Sequence, residues 1–506
     1  MIRGQGGQGA RGQWARGQWA TGLFAAFTLV AACGARTPPA APAAASVAAS
    51  RSTLLDDLTT LTNGPGVRNA LWGIEVFSLD RNEQLARINA GRFMVPASVA
   101  KIVSVATAAD AVGWDYRWET TVRALGSISD GVLQGDLVVA GSGDPSIGGR
   151  AGEDLTAWVE AIRRAGITRI LGRVIGDDNA LEDPRPQLAW TWDDLGYPTG
   201  AIFGALNLNE NRAAIQVVPS TPGAAPGLAV PPSLGYRQIV NRAVTGAAGS
   251  PQSLWPEQRP GETALTVAGS IPSGASTATL SVAVGNPTLH FAHVLRERLI
   301  AAGIEVSGAA ADIDEVSIPQ ERGGTVLYTH RSRPLSEIVQ PVLKDSVNVY
   351  AEAVFRLNAP AGALPTNDAA IAGARQRLAA WGLDANGQQL VDGSGLSRRS
   401  VVSAGLVMAI LRRLHAGGER SPFHAALPVA GVDGSLANRM RGTPAQGNVR
   451  AKTGTMSNIR SLAGYVTAAN GERLAFVILV NNFEGTGAEA NAAIDGIAVR
   501  LASFTR

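Results

Sequence analysis

The stretch Pro96-Ala97-Ser98-Val99-Ala100-Lys101 sets a hydroxyl and an amine three residues apart at the head of an apolar run, Ile102-Val103-Ser104-Val105-Ala106-Thr107-Ala108-Ala109. On an α-helix, positions i and i+3 are surface neighbours with Cβ atoms roughly 5–6 Å apart. The Lys101 amine can then reach the Ser98 hydroxyl, and the run that follows buries the helix and holds the pair still. The pair reads as a nucleophile with its base. Serine is also a common helix cap and lysine a common solvated cation, so spacing alone leaves both readings open.

Lysine usage separates them. Of 44 basic residues only Lys101, Lys344 and Lys452 are lysines, which leaves 41 arginines. Arginine stays protonated inside proteins, whereas a desolvated lysine falls toward neutrality and can act as a base. The three retained lysines are therefore the places to look for chemistry. Lys452-Thr453-Gly454-Thr455 offers an ammonium and two hydroxyls around a glycine that lets a substrate approach the backbone. As an edge strand it would pair with a peptide-like substrate and hold a carboxylate. Lys344 precedes Ser346-Val347-Asn348, where a hydroxyl and an amide two apart can point into one cleft. Each motif also has a plainer reading, a surface strand for the first and polar residues at a helix start for the second.

At 506 residues with 45% hydrophobic composition, the chain exceeds what one core serves, so two or more domains are expected. A net charge of +3, with the basic residues dispersed, argues against nucleic acid. His290, His293, His330, His415 and His424 form no ligand pattern, and neither a metal nor a cofactor is expected. The loop Gly141-Ser142-Gly143-Asp144-Pro145 lacks a following Gly-Lys-Ser/Thr and reads as a turn.

The beginning of the chain carries Arg3, Arg11 and Arg16, then an apolar run over residues 23–32, then Cys33. This reads as an export signal; the run is shorter than the roughly 20 residues that span a bilayer. Cys33 is the only cysteine, so no intramolecular disulfide is possible. Val30-Ala31-Ala32-Cys33 resembles the lipobox of bacterial lipoproteins, and a Pro/Ala-rich tether follows. An ordinary signal cleaved at a small residue is the alternative.

From residue 51 the chain reads as globular: a helix, strands at 74–79 and 84–88, then the Ser98 helix. Short strands at 120–125, 135–140, 169–175, 214–218, 264–268 and 279–284, parted by Gly/Pro/Ser loops, suggest β-rich insertions. A helix over 289–302 follows, and a helical segment opens at Pro334. Near the end, strands at 449–455, 462–468 and 474–480 precede a helix over 488–504, with Asn470-Gly471 as a tight hairpin turn.

In order, S-x-x-K, S-x-N and K-T-G form the signature of penicillin-binding proteins and serine β-lactamases. Ser98 and Ser346 are 248 positions apart, far more than β-lactamases place there. The chain resembles the low-molecular-mass class C penicillin-binding proteins (peptidase S13), the D-Ala-D-Ala carboxypeptidase/endopeptidase family, in which two extra domains are inserted between these motifs. Gly176-Asp177-Asp178, Trp190-Thr191-Trp192-Asp193-Asp194, Ala205 to Asn211 and Asp392 to Arg398 support the resemblance, which runs from about Arg51 onward and is weakest over 219–232.

The resemblance implies an α/β (α+β) transpeptidase-like fold, an antiparallel sheet flanked by helices, with two inserted β-rich domains. The expected division is a signal peptide over 1–33, a tether over 34–50, a catalytic domain from 51–118 with 331–506, domain II from 119–210 with 285–330, and nested domain III over 211–284. The implied roles are Ser98 as nucleophile, Lys101 as base, Ser346 as proton relay and Asn348 as a substrate and Lys101 contact. Lys452 would supply positive potential. Thr453 and Thr455 would bind the terminal carboxylate along the Gly454 backbone, and the N–H groups of Ser98 and Thr455 would form the oxyanion hole. Asp194, Arg398 and Met456 match positions that bind the stem-peptide diamino acid or line its pocket. The implied partners are peptidoglycan stem peptides and, as inhibitors, β-lactams; the signal and lipobox readings add an exported, periplasmic or cell-envelope protein anchored through lipidated Cys33. A serine β-lactamase and a catalytically idle peptidoglycan-binding protein are the rival readings.

Overall fold

The computed structural model describes residues 53–152, 154–259, 261–316, 324–418 and 421–506. The export signal, Cys33 and the tether lie outside the described residues.

The last three strands of the chain join its first two in one antiparallel sheet, ordered Glu83–Ile88, Leu71–Ser78, Arg473–Asn481, Ile459–Thr467, Arg450–Met456. Arg473–Asn481 is buried at every residue after the first, which explains its unbroken apolar run. Alternate side chains leave opposite faces of a strand. Ala475, Val477 and Leu479 pack with Ile102, Val103 and Val339, from the Ala100–Val112 and Leu335–Leu343 helices. Leu474, Phe476, Ile478 and Val480 pack on the other face with Leu54, Leu58 and Ile494, from the helix over residues 53–62 and from Gly487–Ala502. The strand bearing Lys452 is an edge of this sheet.

The connection at Asn470-Gly471 is wider than the expected two-residue turn. The strands stop at Thr467 and resume at Arg473. Ala468 N–H donates to the Glu472 carbonyl at 2.8 Å, and Glu472 N–H donates to the Asn470 side chain at 3.1 Å. Gly471 takes a φ of 84°, so a three-residue loop with a left-handed glycine closes the hairpin.

Along the chain, between the two halves of this sheet, comes a seven-stranded sheet with strands from Glu119–Ser129 to Thr325–Arg331. Two smaller sheets, of three and four strands, are built from residues 212–283. The run expected as one strand over 169–175 splits into Arg169–Ile170 and Val174–Asp177. At the break, Gly172 N–H donates to the Gly135 carbonyl at 3.0 Å, and a Cβ there would come within 2.4 Å of that oxygen. Among the described residues, no helix is long and apolar enough to cross a membrane.

Candidate active site

Ser98 sits in a 3-10 turn, Ala97–Val99, that runs into the Ala100–Val112 helix. Ala97 adopts a φ of 47°, a left-handed conformation costing roughly 1–2 kcal/mol for a residue with a side chain. Three contacts hold it. The Asn481 side chain accepts from Val95 N–H at 2.9 Å and donates to Val95 O at 3.0 Å. Ser461 Oγ donates to Pro96 O at 2.6 Å. Gly395 presses so closely that a Cβ would lie 2.0 Å from Ala97 O. Gly454 backs onto the same turn, where a Cβ would lie 2.6 Å from Pro96 O. A Cβ there would also lie 2.0 Å from Ser461 Oγ, so its missing side chain makes room for the Ser461 hydroxyl and the Pro96 carbonyl that it holds, where the sequence suggested room for substrate.

Lys101 is fully buried. Its Nζ lies 2.7 Å from Ser98 Oγ, 2.7 Å from Asn348 Oδ1 and 2.8 Å from Ser394 O. An amide oxygen and a backbone carbonyl can only accept, whereas a hydroxyl can donate. A neutral amine has two N–H donors and one lone pair, so the two obligate acceptors take the donors and the lone pair is left for the Ser98 hydroxyl. Burial pushes the Lys101 amine down from 10.5 to about 7, against the pull of the Asp392 and Glu352 carboxylates.

Lys452 is also fully buried, with Nζ 2.9 Å from Ser346 Oγ and 2.8 Å from Thr453 O. Burial, followed by the charge of Lys101, pushes it well below the lysine range, while Asp345 pulls it upward. Ser346 has a left-handed φ of 63°. Asn348, at the start of the Asn348–Arg356 helix, also donates from Nδ2 to Thr199 O at 2.7 Å. Thr453 Oγ1 lies 2.7 Å from Ser435 Oγ.

The third lysine does a different job. Lys344 Nζ pairs with Asp433 at 2.6 Å, and its carbonyl accepts from Ser435 N–H at 3.0 Å. It pins the Gly434–Leu436 turn that presents Ser435.

A cleft of about 480 Å³ opens over these groups, lined by Ser98, Ser346, Asn348, Thr453 and Thr455. Asp194, Arg398 and Met456 line it too. Asp194 Oδ2 accepts from Thr191 Oγ1 at 2.6 Å, and the exposed Arg398 guanidinium donates to Ser457 O at 3.3 Å. Besides its hydroxyls the cleft therefore carries the carboxylates of Asp193, Asp194 and Asp345 and the guanidinium of Arg398.

The inserted segment builds part of the site. Besides Thr199, Trp190 Nε1 donates to Asp392 Oδ2 at 3.0 Å, and Arg150 donates to Asp345 at 2.7 Å, next to Ser346. Asp392 is buried and also accepts from Ser397 N–H at 2.8 Å and Ser400 Oγ at 2.6 Å.

Glu352, Ser394, Ser435 and Thr199 went unread in the sequence. Glu352, four residues after Asn348 on one helix face, carried a usable periodic signal. Ser394 and Thr199 act through backbone carbonyls, which leave no side-chain signature.

Among the described residues, one set of carboxylates is close enough to share a cation: oxygens of Asp178, Asp312 and Asp314 lie within 4.8 Å of one another. They do not line the cleft. Burial pushes the Asp178 carboxyl up to about 6, with Asp312 and Asp314 adding to the rise and a hydrogen bond from Thr288 opposing it.

A family model described as the D-Ala-D-Ala carboxypeptidase 3 (S13) family matches residues 54–503. The chain is 33% identical over 479 residues to a D-alanyl-D-alanine carboxypeptidase of Actinomadura sp. (strain R39), covering 92% of this chain and 87% of that one. It is 27% identical over 416 residues to the D-alanyl-D-alanine carboxypeptidase DacB of Haemophilus influenzae, covering 80% and 84%. The crystal structure of penicillin binding protein 4 (dacB) from Haemophilus influenzae superposes with a TM-score of 0.76 at 26% identity, covering 88% of this chain and 98% of that one. A second structure of that protein, complexed with a β-lactam, gives a TM-score of 0.71 at 25% identity with the same coverage.

Proposed function

This chain belongs to the D-Ala-D-Ala carboxypeptidase 3 (S13) family, and we propose that it removes the terminal D-Ala from peptidoglycan stem peptides through an acyl-enzyme at Ser98. It is a serine-type hydrolase of the penicillin-binding fold. The observation that carries the reading is the buried Lys101 amine 2.7 Å from Ser98 Oγ, with its other two partners restricted to accepting.

Ser98 Oγ attacks the carbonyl carbon of the D-Ala-D-Ala bond while Lys101 takes the hydroxyl proton. The backbone N–H groups of Ser98 and Thr455 receive the negative charge on the carbonyl oxygen. Ser346 passes a proton to the departing amine of D-Ala, leaving an ester on Ser98 that water hydrolyses. Asn348 has one amide hydrogen beyond the one given to Thr199, and it serves the peptide backbone.

Thr453 and Thr455 bind the substrate's terminal carboxylate. That carboxylate favours the ammonium form of Lys452, and a charged Lys452 in turn favours a neutral Lys101. Substrate binding thus helps prepare its own base. A β-lactam acylates Ser98 by the same attack, but its opened ring keeps the leaving amine tethered at the site.

Asp194 and Arg398, with Met456 beside them, receive the charged end of the stem-peptide diamino acid. Cleavage of D-Ala-to-diamino-acid cross-links breaks the same type of bond and is included in the proposal. Residues 119–210 with 285–330, and 211–284, are read as the two inserted domains. The enzyme works in the cell envelope, where its substrate lies, anchored through lipidated Cys33.

The test is digestion of a stem pentapeptide and of cross-linked muropeptides, with mass analysis, beside Ser98→Ala. The expected result is release of D-Ala by the parent and none by the variant. A variant that processes the peptides as well as the parent overturns the assignment of Ser98. A parent that releases no D-Ala and takes up no fluorescent penicillin is a binding protein instead.

A further inference from the structure

Glu352 is fully buried one helical turn beyond Asn348. Its Oε1 accepts from Ser394 N–H at 2.8 Å and its Oε2 from Gly393 N–H at 3.1 Å. The Ser394 carbonyl is one of the two obligate acceptors on Lys101 Nζ. The same loop is gripped from its other side, where Ser104 Oγ donates to Gly393 O at 2.7 Å. It has no slack, since a Cβ on Gly393 would lie 2.3 Å from that of Phe355.

One helix therefore governs both acceptors of the lysine, supplying Asn348 itself and holding the Ser394 loop through Glu352. We infer that Glu352 is a positioning residue, which fixes the Ser394 carbonyl so that the free electron pair of Lys101 points at Ser98. The inference rests on Ser98 and Lys101 being nucleophile and base. It goes beyond that reading by saying what aims the base.

The charged groups facing this carboxylate are Lys101 from the nucleophile helix, Asp392 from the adjoining loop and Arg356 from its own helix. Arg356 is itself paired with Glu182 at 2.8 Å, and Lys452 faces Lys101 from the edge strand. Burial and then Asp392 push the Glu352 carboxyl upward, while Arg356, the Ser394 side chain and the Gly393 N–H hold it down. Both oxygens are engaged by donors, which suits a carboxylate and not an amide. In Glu352→Gln, one N–H must face an NH₂ group.

The experiment measures the second-order rate of acylation by a fluorescent penicillin against pH, for the parent and for Glu352→Gln. We expect the variant to be slower by about tenfold or more, as for a buried donor left unpaired. We also expect its acid-side midpoint to move to lower pH, because losing a negative charge and losing a carbonyl acceptor both favour the neutral amine. A rate within about twofold of the parent with an unmoved midpoint overturns the inference. So does a slower rate with an unmoved midpoint, since loss of folded protein alone gives that result. Should Glu352→Gln not fold, Ser104→Ala frees the Gly393 carbonyl while keeping the charge. It is expected to slow acylation several-fold, and unchanged acylation in it overturns the inference. A parent that is not acylated instead sinks the underlying assignment of Ser98 and Lys101.

Discussion

Lys101→Met is expected to slow acylation by penicillin about 10²–10⁴-fold, the usual contribution of a positioned general base, while leaving non-covalent binding in place. Methionine fills much of the lysine's space but has no lone pair at the position 2.7 Å from Ser98 Oγ. It also leaves the Asn348 amide oxygen and the Ser394 carbonyl without their donor, so some loss of stability accompanies the loss of rate. The pH dependence identifies the base. In the parent the amine is lowered from 10.5 to about 7, so its working, unprotonated form dominates above that value. Acylation by the parent should climb as pH rises through about 7 and fall below it. In Lys101→Met that limb should be absent. Because Lys101 and Lys452 influence one another, the observed midpoint belongs to the pair. A variant that retains the parent's rate and its neutral limb would remove Lys101 from the mechanism.

Lys452→Met carries the second large effect, and it is expected to act on a different part of the substrate. Its partner in the proposed mechanism is the substrate's terminal carboxylate, and removing one member of a buried ion pair costs about 3–5 kcal/mol, which corresponds to a loss of roughly 10²–10³-fold or more in kcat/KM at 1.4 kcal/mol per tenfold. The loss should be confined to substrates with a free terminal carboxylate. The parent should strongly prefer a D-Ala-D-Ala peptide over its C-terminal amide, and in the variant that preference should collapse. The acid-side midpoint gives a second reading. With the substrate carboxylate bound, a charge on Lys452 opposes one on Lys101, so its removal should move the midpoint of kcat, which reports the substrate complex, upward, opposite to the shift expected for Glu352→Gln. If both peptides lose rate equally and the midpoint stays, Lys452 serves only to hold Ser346 in place.

The contrast among the three lysines shows what the sequence reveals and why. Arginine-rich composition singled them out, and the structure brings the buried Lys101 and Lys452 together with the half-buried Ser346 and Asn348. Lys344 shared the same signal, yet its ammonium answers Asp433, a partner 89 positions away. Composition marks where lysine is retained but not what it meets. The apolar run over 474–480 announced a strand because both of its faces are covered, a property of local sequence. The hairpin before it was misjudged by one residue, because the Asn470 side chain engages Glu472 N–H and widens the turn. Gly454 was legible as a position needing glycine, but the atoms that crowd it, Ser461 Oγ and the Pro96 carbonyl, are the protein's own. The inserted segment could be delimited from strand texture and from the resemblance. Its reach into the site through Trp190, Thr199 and Arg150 depends on tertiary docking that no local pattern encodes.

The most direct measurement is the location of the covalent adduct. Protein treated with benzylpenicillin, digested and mapped by mass spectrometry should carry one penicilloyl group, on the peptide containing Ser98, and Ser98→Ala should carry none. An adduct on Ser346 or another serine, or an unmodified Ser98 in a protein that still releases D-Ala, would contradict the assignment.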